Sequence, residues 1–288
     1  ILNPLGGGIG LFSAARPVYA SQNFYINKYF VENLFKKNGD YPRVGDAVRL
    51  AKNSIGTENN KLSYIYLGDP AVRLNYPDQY KVITSKINDS EVLGKDTLKA
   101  LSTATVSGFI ADQNGNKVSD FNGTVEIVVY DKVEKITTLN NEGDGTLTYY
   151  DRSNTLFSGK VKVVNGEFTF TFLLPKDIKY NYGSGRINYY AYDETNNYEA
   201  QGYFENFLIG GSSTNLPNDN IGPEIDIYLN SPEFVSGGKV NETPLFVANI
   251  SDENGINTVG SGIGHDLLLT VDNDPNKTYI LNDYYTAA

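Results

Sequence analysis

The chain has 288 residues, 40% apolar and 20% charged, with a net charge of −10, proportions that fit a folded chain rather than a disordered one. It contains no cysteine and a single histidine, His265. That excludes disulfides, thiolate metal sites and a cysteine nucleophile within these residues, and leaves any triad or histidine metal site only one ring to build on. The acidic surplus, without Lys or Arg clusters, argues against nucleic acid, and no apolar run approaches the roughly 18 residues of a membrane-spanning helix.

The length is enough for several cores. The chain starts at Ile1 and contains no Met, so we expect it to be processed, trimmed or cut from something longer, with any export signal upstream. Its glycine turn, Gly6-Gly7-Gly8-Ile9-Gly10, leads into Leu11-Phe12-Ser13, read as a short buried strand. Ile26, Tyr29, Phe30 and Leu34 then follow helical spacing, and Val44, Ala47, Val48 and Ala51 form a second helical stripe. Leu62 to Leu67 is extended and stops at Gly68-Asp69-Pro70. The order β-α-α-β is that of the end of an α/β domain.

Residues 1–76 hold nine Lys or Arg against five Asp or Glu, and the remainder holds 15 against 29. This change of sign coincides, at Tyr76-Pro77-Asp78, with a change from helical to strand-like pattern. Beyond it come short strands: Thr105 to Ala111 before Asn114-Gly115, Val125 to Tyr130, Lys160 to Val164, Glu167 to Phe172, Arg186 to Tyr192 and Gly202 to Ile209. Asn165-Gly166 between two of them is a hairpin signal, because this pair accepts the positive φ angles of a two-residue turn. About seven strands at this spacing predict an immunoglobulin-like sandwich. Its surface suits a chain with 22 Tyr, since Tyr favours half-buried sheet positions. Gly210-Gly211-Ser212-Ser213-Thr214-Asn215 reads as a flexible linker. A second module follows, with strands at Glu224 to Leu229, Pro244 to Ser251, His265 to Val271 and Tyr279 to Asn282. It ends before a full set of strands, and the last residues, Asp283 to Ala288, leave it incomplete.

Several pieces, in this order and spacing, resemble the carboxyl-terminal part of the catalytic domain of the gingipain family of cysteine endopeptidases. They are Leu2-Asn3-Pro4-Leu5-Gly6-Gly7-Gly8-Ile9-Gly10, Ser13-Ala14-Ala15-Arg16-Pro17-Val18-Tyr19, Gly45-Asp46-Ala47, Ala51-Lys52 and Leu67-Gly68-Asp69-Pro70-Ala71-Val72-Arg73-Leu74. Lys81 to Leu98, the sandwich from Leu101, Gly222-Pro223-Glu224-Ile225 and Phe234-Val235-Ser236-Gly237-Gly238 extend the likeness, in particular to the family's type IX secretion sortases.

The resemblance implies four parts. Residues 1–77 are the C-terminal part of a caspase-like α/β peptidase domain and residues 78–211 an immunoglobulin-like β-sandwich; residues 212–222 are a linker and residues 223–288 a second, incomplete immunoglobulin-like β-sandwich. It further implies a parent that removes C-terminal sorting domains from secreted cargo and attaches the cargo to a lipopolysaccharide anchor at the bacterial outer-membrane surface, beside other attachment-complex proteins. The family's Cys-His dyad, in which imidazole deprotonates the thiol, would lie upstream of Ile1. No catalytic, cofactor-binding or metal residue is therefore expected in this chain, which should be inactive alone. The residues leave a second reading open: a non-catalytic extracellular adhesion or binding protein with tandem immunoglobulin-like modules.

Individual signals read mostly as structure. His265 beside Asp266 has the chemistry of a proton-transfer pair, but strand pattern surrounds it and no nucleophile is placed to receive it. Asp112, Asn114 and Asn116 alternate like a calcium loop, yet Lys117 and Gly123 stand where an EF-hand needs Gly and Glu, so a hairpin turn is expected. The acidic loops Asp252-Glu253-Asn254-Gly255 and Asp272-Asn273-Asp274 leave calcium between modules as the one cofactor alternative. Gly6 to Gly10 precedes its strand, whereas a phosphate loop follows one. Those glycines are read as letting the backbone pass close beneath an active site, and Asp69-Pro70 as a turn.

Overall fold

The computed structural model describes residues 8–35, 41–57, 59–88, 90–91, 96–141, 143, 145–176, 178, 181–213, 221–252, 256 and 266–287. The chain divides into two compact units, Ile1–Tyr76 and Pro77–Ala288.

The first unit runs β1 (Gly10–Ala14), α1 (Ala20–Leu34), α2 (Val44–Ser54) and β2 (Tyr64–Gly68), with a 3-10 turn at Asn59–Ser63. β1 and β2 pair antiparallel, Phe12 opposite Tyr66 and Ala14 opposite Tyr64. The expected stripe on α2 is buried at Val44, Ala47, Val48 and Ala51, and Asp46 in its first turn complements the helix dipole. Ile26 of α1, Ala51 of α2 and Tyr64 of β2 form the core, with Phe12 and Phe30 rings 5.0 Å apart beside it. The expected buried first strand is only half-buried, and on one face: Phe12 and Ala14 pack against the core. The alternating residues Leu11, Ile65 and Leu67 are exposed, as is Ile9, because side chains alternate between faces and both helices contribute to the other one.

In the second unit the strands are β3 (Tyr80–Ile87), β4 (Ser90–Glu91), β5 (Asp96–Ala100), β6 (Thr103–Ala111), β7 (Gly123–Tyr130), β8 (Glu134–Thr137) and β9 (Thr148–Asp151). They continue with β10 (Thr155–Val163), β11 (Glu167–Leu173), β12 (Gly183–Ser184), β13 (Arg186–Asp193), β14 (Tyr198–Phe204) and β15 (Phe207–Ser212). One sheet carries the order β10-β7-β13-β14-β3-β6-β11, with β4 beside β3. Its pairs are antiparallel except β14 with β3, which run parallel at Ala200 and Tyr80. The two wings face each other across a core. Val125, Ile127 and Val129 of β7 and Ile187 and Ala191 of β13 point inward from one wing, and Phe168, Phe170 and Phe172 of β11 from the other. Rings bridge them: Phe157 lies 5.4 Å from Phe170, and Tyr189 lies 5.6 Å from Phe168. The period-2 alternation thus builds a two-sided core from a single curled sheet.

Two expectations change here. The run Gly202 to Ile209 is not one strand: β14 ends at Phe204 and β15 begins at Phe207, in a separate sheet ordered β12-β15-β5. The break falls at Glu205, whose carboxylate takes Arg152 at 3.0 Å and Arg186 at 3.1 Å. Nor do Gly210 to Ser212 belong to a linker. They finish β15, Ser212 lying opposite Ala100 of β5, and a side chain on Gly210 would come 2.8 Å from the Asn181 carbonyl oxygen. The glycine there serves close approach rather than flexibility. Residues 214–220 of the expected linker lie outside the described residues.

After residue 220 the structure forms two separate hairpins: β16 (Glu224–Leu229) with β17 (Phe246–Ser251), and β18 (Leu268–Thr270) with β19 (Thr278–Ile280). Ile225, Ile227, Leu268 and Ile280 are exposed, and among the described residues of 221–287 no hydrophobic side chain is buried. Of the incomplete second sandwich that the strand rhythm predicts, the described residues form these two pairs, and isolated two-stranded hairpins have no opposing layer to bury a face.

Candidate functional site

The first unit positions its glycines and its Asp-Pro turn at one end of the β1–β2 pair. Gly10 lies opposite Gly68, and the Tyr66 side chain crosses both. A side chain at Gly10 would overlap the Tyr66 hydroxyl, and one at Gly68 would sit 2.8 Å from it. Just beyond, Asp69 Oδ1 accepts the Ala71 N–H at 2.8 Å, closing a turn. The start of α2 is fastened to this turn, Gly45 N–H donating to Pro70 O at 2.9 Å and Val44 N–H to Val72 O at 2.8 Å. The end of β2 is thus joined by hydrogen bonds to a helix N-terminus, and among the described residues no thiol or imidazole stands there. Gly6 and Gly7 lie outside the described residues.

The other candidates separate. His265 lies outside the described residues, while its neighbour Asp266 lies just ahead of β18, outside any strand or helix. Asp112 is a turn residue: Oδ1 accepts the N–H of Asn114 at 2.8 Å and of Asn116 at 2.9 Å, and Oδ2 accepts Asn116 Nδ2 at 3.0 Å. The Asn116 hydrogen bonds, chiefly, hold its pKa below the ordinary value. Asp274 Oδ1 likewise accepts the Asn276 N–H, and Asp272 pairs with Lys277 at 3.3 Å. Asp252 is described and Glu253 to Gly255 are not. Among the described residues no three His, Cys, Asp or Glu groups gather as a metal site would need.

Three features had no signal in the sequence. Asp193, 1% exposed, accepts the N–H groups of Asn122 and Thr195 at 2.9 Å, of Asn196 at 3.2 Å, and the Asn196 amide at 2.9 Å. Burial pushes its pKa up, but these donors outweigh that and hold it below the ordinary carboxylate value. Asp131 and Lys132, adjacent in sequence and 1% and 3% exposed, form a buried ion pair at 3.0 Å. The third feature is a cavity of about 700 Å³ along the end of β10, lined by Asn122, Thr124, Lys160, Lys162 and Tyr192 among others.

The β-α-α-β unit coincides with a family boundary. Residues 1–75 match peptidase family C25, the gingipain family. Over its whole length the chain is similar to dimeric latent PorU from Porphyromonas gingivalis, with 35% sequence identity, a TM-score of 0.51 and 97% of this chain covered. The chain spans 27% of PorU's length. Sporulation control protein Spo0M from Bacillus subtilis (12% identity, TM-score 0.29, 46% of this chain and 50% of that one) and a conjugative transposon lipoprotein from Bacteroides eggerthii (11% identity, TM-score 0.24, 46% and 97%) match less of the chain at lower similarity and carry no argument. No curated protein matches the chain. The gingipain-family likeness thus rests on the first unit, and the PorU likeness on the mostly β, multidomain remainder as well. Among the described residues no helix is long and apolar enough to cross a membrane.

Proposed function

We propose that this chain is the scaffold and docking portion of a gingipain-family cysteine endopeptidase of the type IX secretion system, acting as a sortase at the bacterial outer-membrane surface. The parent removes C-terminal sorting domains from secreted cargo and attaches the cargo to the surface, with other attachment-complex proteins as partners. The observation that carries this reading is the 35% identity to PorU across 97% of the chain, joined to the family C25 match over residues 1–75. Residues 1–77 are then the C-terminal part of a caspase-like domain. The pair β1–β2, packed with helices on one face and apolar and open on the other, supports that: it has the form of a piece of a layered α/β sheet.

An immunoglobulin-like reading of residues 78–211 is supported by strand order. The wing β11-β6-β3 and the wing β14-β13-β7-β10 correspond to the two sheets of such a sandwich, with β3 joining them. Residues 223–288 then begin a second module of the same kind. The chain has no cysteine, so the thiolate of the parent must come from outside it, and the reading involves no cofactor.

The deciding experiment labels the parent chain with a thiol-directed peptidase probe. Labelling of a single cysteine that precedes Ile1, lost when that residue or a preceding histidine is replaced, is the expected result. A parent without both residues would instead be a non-catalytic surface adhesion protein.

A further inference from the structure

Three Asn-Gly pairs lie among the described residues: Asn114-Gly115, Asn122-Gly123 and Asn165-Gly166. Such a pair can react with itself, because a residue without a side chain leaves its backbone nitrogen open to the neighbouring amide. The Gly nitrogen gives its proton to solvent and attacks the Asn side-chain carbonyl carbon. A C–N bond forms, the bond to Nδ2 breaks, and ammonia leaves, taking a proton back from solvent. The cyclic imide that results is opened by water at either carbonyl, to aspartate or to isoaspartate. In balance a water is consumed and an ammonia released, with no oxidant or reductant.

The fold holds the three pairs differently. At Asn122 both side-chain polar atoms are engaged, Oδ1 accepting the Asn165 N–H at 2.9 Å and Nδ2 donating to Asp120 O at 3.1 Å, and Gly123 is fixed in β7 opposite Val163 of β10. At Asn165-Gly166 the attacking nitrogen is engaged instead. Gly166 is buried, its N–H donates to Phe121 O at 2.9 Å, and Val118 O stands where a side chain would. Asn114-Gly115, in the turn after β6, is held least. Both residues are exposed, a side chain on Gly115 would meet open space, and the Asn114 side-chain amide has no hydrogen bond among the described residues. Only the Gly115 N–H is tied, to Asp112 O at 3.1 Å. The same turn clasps the entry to β3: Gln113 Nε2 donates to Gln79 O at 3.3 Å and to Asp78 O. Its shape depends on Asp112 Oδ1, which accepts the N–H groups of Asn114 and Asn116. Isoaspartate would lengthen the main chain by an atom here, and either product would set a second carboxylate beside Asp112. We infer that Asn114 is a spontaneous modification site, converting to aspartate and isoaspartate ahead of Asn122 and Asn165, and that the conversion releases the clasp of this turn on the start of β3. The inference does not depend on the peptidase reading.

The test ages the full chain in mildly alkaline buffer and follows each site by peptide mapping, with isoaspartate read by enzymatic methylation. Asn114 should convert about tenfold or more faster than Asn122 or Asn165, since reaction at either of those must first break further hydrogen bonds and open a packed strand or turn. In urea that unfolds the chain the three rates should draw together, because the fold is what distinguishes them. Asn114→Gln should abolish conversion at that site and leave the other two unchanged. Amide exchange at Tyr80 to Val82 should be faster in the aged chain than in the aged Asn114→Gln variant. Conversion of Asn122 or Asn165 as fast as Asn114 in the folded chain, a preference for Asn114 that persists undiminished in urea, or unchanged exchange at the start of β3 would each overturn the inference.

Discussion

Asp193 shows how much of the second unit hangs on single buried groups. Its four donors come from Asn122, Thr195 and Asn196, and Asp193→Asn turns an acceptor toward N–H groups as a donor. The expected loss is about 2 kcal/mol at pH 7, the scale of hydrogen bonds to a charged group. The folded pKa is held below the ordinary value, so the carboxylate's contribution is fully present above the unfolded pKa of about 3.9. It is lost as pH falls through the folded value. Urea midpoints of wild type and Asp193→Asn should therefore differ at pH 7 and converge as the pH falls below the folded value; a gap that persists in acid would assign the effect to packing. The Asp131–Lys132 pair is independent of this node. Asp131→Ala strands the ammonium of Lys132, 3% exposed, and should cost about 3–5 kcal/mol, read as a lower denaturation midpoint. Neither carboxylate was legible in the sequence: a turn at Asn196-Asn197 is visible in residue types, but the donor at Asn122 lies 71 residues away. Composition drew attention instead to His265, the rarest residue type.

At the scale of elements, local chemistry was the most legible. Asn165 and Gly166 take φ of 52° and 75°, as the Asn-Gly pair anticipates, and the alternating runs of β6, β7, β11 and β13 fall where the sequence puts them, to within a few residues. The break between β14 and β15 was not legible, because Tyr203, Phe204, Phe207, Leu208 and Ile209 on either side of Glu205 and Asn206 all suit a strand. Arg152 and Arg186, from elsewhere in the chain, hold Glu205 at the break. The glycines of β15 were misleading for a related reason, since composition cannot distinguish a flexible glycine from one pressed against a neighbouring backbone. Gly166 combines both demands. A side chain there would overlap Val118 O as well as meet a positive φ, and the Gly166 N–H donates to Phe121 O at 2.9 Å. Gly166→Ala should cost roughly 3 kcal/mol, whereas Asn165→Gly should be tolerated within about 1 kcal/mol; equal effects at the two positions would show that the turn alone, without the Val118 contact, sets the cost.

For the whole molecule, burial is distributed unevenly enough to order the stabilities of its parts. Nearly all the fully buried side chains, Phe121, Phe207, Leu98, Ile127 and Ile187 among them, lie between residues 82 and 209. The first unit buries Ile26, Ala47, Ala51 and Tyr64 behind two strands and leaves Ile9, Leu11, Ile65 and Leu67 exposed at 42% or more. Local opening free energy follows the density of buried apolar contacts, and a two-stranded sheet with an open apolar face presents unpaired edges besides. Amide exchange in the intact chain should therefore be slowest in β6, β7 and β13, faster in β1 and β2, and fastest in the hairpins β16–β17 and β18–β19. The same ordering predicts that residues 1–76 expressed alone have low stability and aggregate. If amides of β1 and β2 in the intact chain prove as protected as those of β7, the first unit gains its stability from something other than its own core, and the layered-sheet reading of its open face loses its physical basis.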